Sequence, residues 1–162
     1  YDLDFNLSSN LFKGKTNGVL YSAVSKSITP TIKLNWDYNK IINISPSYTY
    51  AYNLVNYKDY SLEESNNFTH KLNMQITTYW PKNLVLGTDV GYQYNSMLAS
   101  GYNKDFMLVN ASLGYKFFHD QFTAKVKGYD LLNQNQSAVR YISPTQIMDY
   151  DNLILKRLIK RK

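Results

Sequence analysis

The sequence contains no cysteine, only seven glycines and four prolines, and no long apolar run. Without cysteine the chain has no disulfide framework, no thiolate metal ligand and no cysteine nucleophile. No stretch approaches the roughly 18 apolar residues that a membrane-spanning helix needs, which excludes helical spans. The mean hydropathy is −0.43. These absences leave a membrane barrel open, because its strands alternate apolar and polar residues and have an unremarkable average hydropathy.

The residues present in excess are aromatic. Sixteen tyrosines contribute to an aromatic content of 15%, which argues against disorder and favours strands, where aromatic side chains fit a pleated surface. The net charge of +6 raises the question of nucleic-acid binding. However, five of the eighteen basic residues lie in the last seven positions and most others are scattered singly. A phosphate-binding patch needs clustering, so we expect no nucleic-acid partner.

A period of two dominates the chain. From Ile42 to Leu54 the even positions are aliphatic, proline or tyrosine, and the odd positions are Asn, Ser, Thr or Ala. The same alternation recurs near residues 1–8, 31–38, 68–80, 84–95, 106–117 and 122–127. Several segments reach the roughly 9–11 residues that cross a bilayer as a tilted strand. With a last strand beginning at Asn152, the sequence predicts an all-β fold, an antiparallel up-and-down transmembrane β-barrel fragment of about eight strands.

The predicted connections alternate in length. Short ones fall at 39–40, 81–83 and 119–121, and longer ones fall at about 10–18, 57–66, 97–104 and 131–151. Outer-membrane barrels have short periplasmic turns and longer extracellular loops. We therefore expect Asn39, Pro81 and Asp120 on the periplasmic side and the segments Tyr57–Asn66 and Met97–Lys104 outside.

The alternation also assigns side chains to two faces. Aromatic residues near the two ends of the strands predict the girdles that mark membrane interfaces: Trp36, Tyr38, Trp80, Tyr115 and Phe117 near the short turns, and Tyr50, Tyr52, Tyr92 and Tyr94 near the long connections. Residues on the polar parity predict a lumen-facing set: Asn73, Gln75, Asp89, Gln93, Asn110 and Lys125. Lysines share this parity in several strands, which suits a bilayer because a charge on the lipid face costs about 2–4 kcal/mol at the midplane.

Three segments resemble the C-terminal end of TonB-dependent outer-membrane receptors of the Bacteroidetes type. They are Trp80-Pro81-Lys82 with the strand that follows, the strand containing Asn110 to Phe117, and the stretch Tyr129-Asp130-Leu131-Leu132-Asn133-Gln134-Asn135. The resemblance implies a wall segment of a barrel of about 22 strands, in a Gram-negative outer membrane, that mediates energised uptake of a nutrient or metal chelate. It also implies contact with membrane lipid and lipopolysaccharide, and with a plug domain and a TonB-type energising complex through parts outside this chain.

The two ends of the chain also bear on this interpretation. Tyr1 opens in the middle of an alternation, without a methionine or signal peptide, and no aromatic residue closes the last strand. We expect residues 1–162 to be the C-terminal segment of a barrel domain with an incomplete last strand, from either a truncated chain or a broken gene. Since an open sheet edge is not tolerated in lipid, such a piece alone should aggregate or stay unfolded.

Other chemistry has little support in the sequence. His70 is expected at a membrane interface, and His119 in a turn without ligand partners. Asp149 and Asp151 lack the further carboxylates and the glycine of a calcium loop, and the charge pair at 63–64 reads as a solvated loop. No nucleophile elbow, phosphate loop or catalytic carboxylate pair occurs. We therefore predict no enzyme, no metal site and no cofactor.

Two alternatives stay open at this point. One is a small self-contained outer-membrane barrel with a structural or adhesive role, because eight strands can close a barrel. The other is a soluble all-β module that binds glycans through its tyrosines. Pro46 is unusual inside a long strand because proline donates no ladder hydrogen bond, and we expect a bulge there.

Overall fold

A computed structural model of the chain describes residues 1–16, 18–58, 65–98, 101–118, 121–135, 139–142, 147–150 and 158–161. These residues form strands β1 (Asp2–Thr16), β2 (Val19–Lys33), β3 (Trp36–Tyr38), β4 (Ile42–Lys58), β5 (Ser65–Thr78), β6 (Leu84–Asn95), β7 (Asp105–Phe117), β8 (Phe122–Tyr129), β9 (Val139–Ile142), β10 (Ile147–Tyr150) and β11 (Leu158–Arg161). None of the described residues belong to a helix long and apolar enough to cross a membrane.

The principal sheet is an antiparallel meander in the order β1-β2-β4-β5-β6-β7-β8-β11, and β3 continues the line of β2 beside β4. This order confirms the predicted all-β, up-and-down architecture of about eight strands. The sheet is not closed: within the described part of the chain, β1 pairs with β2 alone and β11 with β8 alone. An open sheet is the form expected of a fragment of a barrel wall.

The register runs without a slip between neighbouring strands. From Ile42 opposite Thr78 to Val55 opposite Ser65, each step along β4 is matched by one step along β5, and the other ladders of the sheet behave alike. Because side chains alternate with a period of two, an unbroken register keeps each parity on one face across the whole sheet.

The two faces differ in polarity. One row of directly opposed residues crosses six strands on the apolar face: Leu3, Ile32, Tyr48, Leu72, Tyr92 and Met107. Leu3 is 69% exposed and Leu72 is 47% exposed. Among the described residues only Ala23 and Leu98 are buried hydrophobic side chains. The sheet therefore has no protein core of its own, and its apolar face is available to an apolar surrounding.

The long connection predicted at about residues 10–18 is wrong. Strand β1 continues to Thr16, which pairs directly with Val19, so only two residues, Asn17 and Gly18, connect β1 to β2. Asn-Gly is the preferred sequence of a two-residue hairpin, and Gly18 has a φ of 82°, the left-handed conformation that such a turn requires. Asn17 lies outside the described residues. The polar run at 13–15 reads as a loop but forms the end of a long hairpin.

The bulge expected at Pro46 is also wrong. The pairing of β4 keeps the same register on both sides of this residue, with β5 as well as with β2 and β3. The amide of Leu34 donates to the carbonyl of Pro46 (2.9 Å), but proline has no N–H with which to return the bond. The ladder is interrupted there, and the strand predicted over 31–38 is divided into β2 and β3.

Two predicted features near the C-terminus fall partly outside the described residues. Within the long connection predicted at 131–151, β9 and β10 form a separate two-stranded hairpin. The last strand, predicted to begin at Asn152, is described only as β11, which pairs with the end of β8. Residues 151–157 lie outside the described part of the chain.

Candidate functional site

The six residues predicted to face a lumen share the polar face of the sheet. Gln75 lies opposite Asp89, and Asp89 lies opposite Asn110, so these three form a single row across β5, β6 and β7. The other three occupy further rows of the same face: Asn73 lies opposite Gly91 in the next row, and Gln93 opposite Lys71 and Lys125 opposite Gly114 lie two rows away in opposite directions. The row brings acidic and amide groups together, and whether the face lines a lumen stays a prediction.

A shallow hollow of about 180 Å³ lies on this face over β6, β7 and β8. Its lining includes Asp89, Asn110, Lys125 and Lys127. Gly87 and Ser112 also line the hollow, and the Ser112 hydroxyl group fills the space beside Gly87, since a Cβ at that position would come within 2.7 Å of its oxygen. One carboxylate, one amide and two ammonium groups around a small hollow can contact a polar or charged group, but they hold none of the arrangements that activate a nucleophile.

Aromatic side chains cluster at both ends of the apolar face. Near the short turns, the rings of Trp36 and Tyr38 are 5.8 Å apart and those of Tyr115 and Phe117 are 6.4 Å apart. Trp80, next to the turn after β5, is 66% exposed. These five are the residues predicted for the periplasmic girdle.

At the opposite end, Tyr50 and Tyr94 belong to a cluster centred on His70. The His70 ring lies 5.0 Å from Tyr50 and 5.4 Å from Phe68, and Phe68 stacks on Tyr94 at 5.6 Å. The Tyr48 hydroxyl is 2.6 Å from His70 Nδ1. The girdle prediction omitted Phe68, although it shares the parity of the members, and His70, which the sequence placed at a membrane interface without including it in the girdle, lies at the centre of the cluster. The remaining predicted members, Tyr52 and Tyr92, lie on the same face opposite Phe68 and Leu72.

The separation of the two clusters matches a bilayer. Ten residues separate Trp80 from His70 along the chain, which is about 33 Å of strand and about 23 Å along the membrane normal at a tilt of about 45°. The apolar band of an outer-membrane barrel is about 25 Å tall. The two aromatic clusters therefore have the spacing of two interfacial girdles.

The stretch that carries the family resemblance ends β8 with a buried carboxylate. Asp130 is 4% exposed. Its Oδ1 accepts the backbone N–H of Gln134 (2.9 Å) and of Asn135 (3.3 Å), and its own N–H donates to Asn110 Oδ1 (2.9 Å). Asp130 and Asn133 have positive φ angles, which Asp and Asn tolerate better than other residues. The sequence singled out this stretch by resemblance but not the role of its aspartate.

This turn covers the free edge of β7. Strand β8 pairs with residues 111–117 of β7, which leaves the N-terminal half of β7, residues 105–110, without a strand neighbour on that side in the described residues. There, the amide of Leu131 donates to Val109 O (2.8 Å) and the amide of Met107 donates to Gln134 Oε1 (3.1 Å). An exposed strand edge can pair with other chains. The turn covers the edge of β7 beyond the end of β8 and takes the place of a neighbouring strand there.

The possible metal ligands noted in the sequence form no cluster within the described residues. No group of three or more His, Asp or Glu side chains that could hold a metal ion occurs in that part of the chain. His119, Asp120, Asp151 and the pair at 63–64 lie outside it, as does the side chain of Asp149.

Comparisons with known proteins place the chain in a wider group. The family model for an outer membrane protein β-barrel family matches residues 6–160. No curated protein matches the chain. No solved structure matches it either.

Proposed function

The chain belongs to an outer membrane protein β-barrel family, and on that basis we propose that it forms a wall segment of a TonB-dependent receptor in the outer membrane, which mediates energised uptake of a nutrient or metal chelate. In this proposal the ligand binds to the outer loops and to a plug domain. An inner-membrane complex pulls on the plug, and the ligand passes through the lumen. The proposal assigns the chain no catalytic activity.

The observation that carries the proposal is an open two-faced sheet without a core. Strands of 15 and 17 residues expose large apolar side chains on one face and amide, hydroxyl and charged groups on the other. Lipid tolerates only closed barrels among β-structures, so both edges of this sheet need strand partners. A larger barrel supplies partners for both edges, and the described β1 edge is a long strand ready for pairing.

The transport part of the proposal draws on the polar face. Asp89, Asn110 and Lys125 border a hollow on the side opposite the aromatic girdles, where they would contact the plug or a polar solute. The turn at Asp130 is the part of the chain that most resembles the receptor family. The plug and the segment that contacts the energising complex would lie outside these 162 residues.

Uptake by intact cells tests the proposal. We expect deletion of the gene to abolish growth on one limiting nutrient or metal chelate from a panel. In the complemented strain, accumulation of that solute should stop when a protonophore collapses the proton-motive force. Binding of the solute to the cell surface should persist under the protonophore. Accumulation that continues without the proton-motive force would contradict an energised receptor.

A small self-contained barrel with a structural or adhesive role is the second candidate. It is favoured by the strand number, because eight strands suffice to close a barrel filled by its own side chains. A heat-modifiability experiment separates the two candidates. The 162-residue chain is refolded into detergent and run on a denaturing gel, where the unheated sample migrates faster than the boiled sample if the chain closes into a barrel alone. The receptor proposal predicts no shift and precipitation when denaturant is removed. No specific observation favours the soluble glycan-binding module. A soluble domain would bury an apolar core, and the described residues bury little apolar surface.

A further inference from the structure

The outer part of the apolar face changes character beyond the aromatic girdle. The row formed by Leu7, Ile28 and Tyr52 is the last in which β1, β2 and β4 all carry apolar or aromatic side chains there. Beyond that row, the same face presents four exposed lysines at positions fixed by the pairing: Lys13, Lys15, Lys26 and Lys58. They share this face with Leu11, Leu20 and Leu54.

No carboxylate offsets these lysines within the described outer halves of the three strands. Residues 8–16, 19–27 and 53–58 contain neither Asp nor Glu. The nearest acidic residues along the chain, at positions 59, 63 and 64, lie outside the described residues. This face is therefore both cationic and apolar on strands that cross the outer interface.

The lysines lie at the heights of lipid headgroups. Lys26 lies opposite Ser9 and Leu54, two residues beyond the row that contains Ile28. For a strand tilted about 45°, this places Lys26 about 5 Å higher along the membrane normal than that row. Lys13 and Lys58, which flank Ser22, are six residues beyond that row, or about 14 Å higher. The series thus extends from the boundary of the apolar layer well into the headgroup and sugar layer.

An apolar groove leads to the lowest of these lysines. It has a volume of about 470 Å³ and is lined by Leu7, Ile28, Tyr52 and Leu54, together with Lys26 and neighbouring serines. A groove of this kind suits an acyl chain, and the ammonium group beside it suits the phosphate that such a chain carries in an anionic lipid.

We propose that the outer, membrane-facing surface of β1, β2 and β4 binds lipopolysaccharide through its phosphate groups. Lys26 contacts a phosphate of the lipid anchor, whose acyl chain lies in the groove. Lys13, Lys15 and Lys58 contact phosphates of the inner sugars. Charge complementarity selects this occupant, because the patch is cationic, carries no described carboxylate and lies in the leaflet where lipopolysaccharide is the anionic lipid. The inference needs the outer-membrane orientation assigned above but not a role in uptake.

A binding titration tests the proposal. Fluorescent lipopolysaccharide is titrated against the full-length protein purified from outer membranes in detergent, and Kd is compared between wild type and the variant Lys13→Gln, Lys15→Gln, Lys26→Gln, Lys58→Gln. Each basic residue near an anionic membrane surface contributes severalfold to binding, so we expect at least a tenfold increase in Kd. The matched control carries four charge-neutralising changes on the opposite face, Lys71→Gln, Lys116→Gln, Lys125→Gln and Lys127→Gln, and should stay within twofold of wild type.

A second measurement does not depend on the folding of any variant. Wild-type protein should bind lipopolysaccharide treated with alkaline phosphatase at least tenfold more weakly than the untreated form. Equal binding of the two forms, or an equal loss in both quadruple variants, would overturn the proposal. Neither readout involves uptake, so a failure here leaves the proposed transport function intact, and a failure of uptake leaves this inference intact.

Discussion

At the scale of the residue, Asp130 links the turn after β8 to the neighbouring strand through hydrogen bonds. It is a buried charged side chain that holds a tight turn, and this turn supplies one backbone and one side-chain hydrogen bond to the N-terminal half of β7. A carboxylate accepting two amide bonds at this position stabilises a conformation in which Asp130 and Asn133 have positive φ angles. The turn is thereby coupled to the sheet edge through a single side chain.

Replacing Asp130 with Ala should destabilise the folded protein by about 1–3 kcal/mol, because the part-buried backbone amides of Gln134 and Asn135 lose a charged acceptor. Asp130→Asn retains one acceptor oxygen and should lose less. Urea unfolding in lipid vesicles measures the free energy, and hydrogen exchange should show faster exchange at the amides of Gln134, Asn135 and Leu131. If Ala and Asn behave alike, or if those amides keep their protection, the capping role is incorrect.

The two parities of a strand should respond differently to the same charge. Met74 is 36% exposed on the apolar face, and Gln75, its neighbour in β5, lies on the polar face opposite Asp89. Met74→Lys should lower the free energy of unfolding in lipid vesicles by about 2–4 kcal/mol, the cost of a lysine near the bilayer midplane. Gln75→Lys should change it by less than about 1 kcal/mol. Comparable losses for both variants would argue against a lipid-facing apolar side.

At the scale of the element, two prolines interrupt the ladder between β2 and β4. Pro30 of β2 and Pro46 of β4 both lack an N–H, and the pairing skips residues 29–30 and 34–35 while the register stays the same. Two missing donors in a single ladder leave it with fewer hydrogen bonds than its neighbours, so local opening should begin there.

Replacing Pro46 with Val should restore a donor toward the carbonyl of Leu34 and stabilise the sheet by about 0.5–1.5 kcal/mol. Valine also suits a strand and an apolar face. Hydrogen exchange should show a protected amide at position 46, and Ser47→Thr serves as a control in the same strand where no bond is missing. A rapidly exchanging amide at position 46 would mean that the ladder is interrupted for another reason.

The alternation of residues was enough to predict strands, parities and faces, because a period of two is a direct consequence of strand geometry. The series from Ile42 to Leu54 is the clearest case. Two features required more than periodicity. The polar run at 13–15 resembles a loop until the pairing of Thr16 with Val19 shows a hairpin. The role of Asp130 depends on the amides of residues four and five positions later, which turn back only in three dimensions.

At the scale of the whole molecule, the sheet combines two surfaces and two edges. Its apolar face carries an aromatic cluster toward each end, and its polar face carries Asp89 and Lys125 around a hollow. These two faces fit the proposed wall between lipid and an aqueous interior. The family match over residues 6–160 agrees with that arrangement.

Cysteine labelling of Asp89 and Val90 tests this arrangement most directly. The sequence has no cysteine, so Asp89→Cys and Val90→Cys each introduce a single thiol in this chain, on opposite faces of β6. In isolated outer membranes, a charged membrane-impermeant maleimide should label Asp89→Cys readily. Val90→Cys, opposite Met74 and Val109 on the apolar face, should be labelled only after solubilisation and denaturation. Equal labelling of both thiols in intact membranes, or faster labelling at position 90, would contradict the assignment of the two faces.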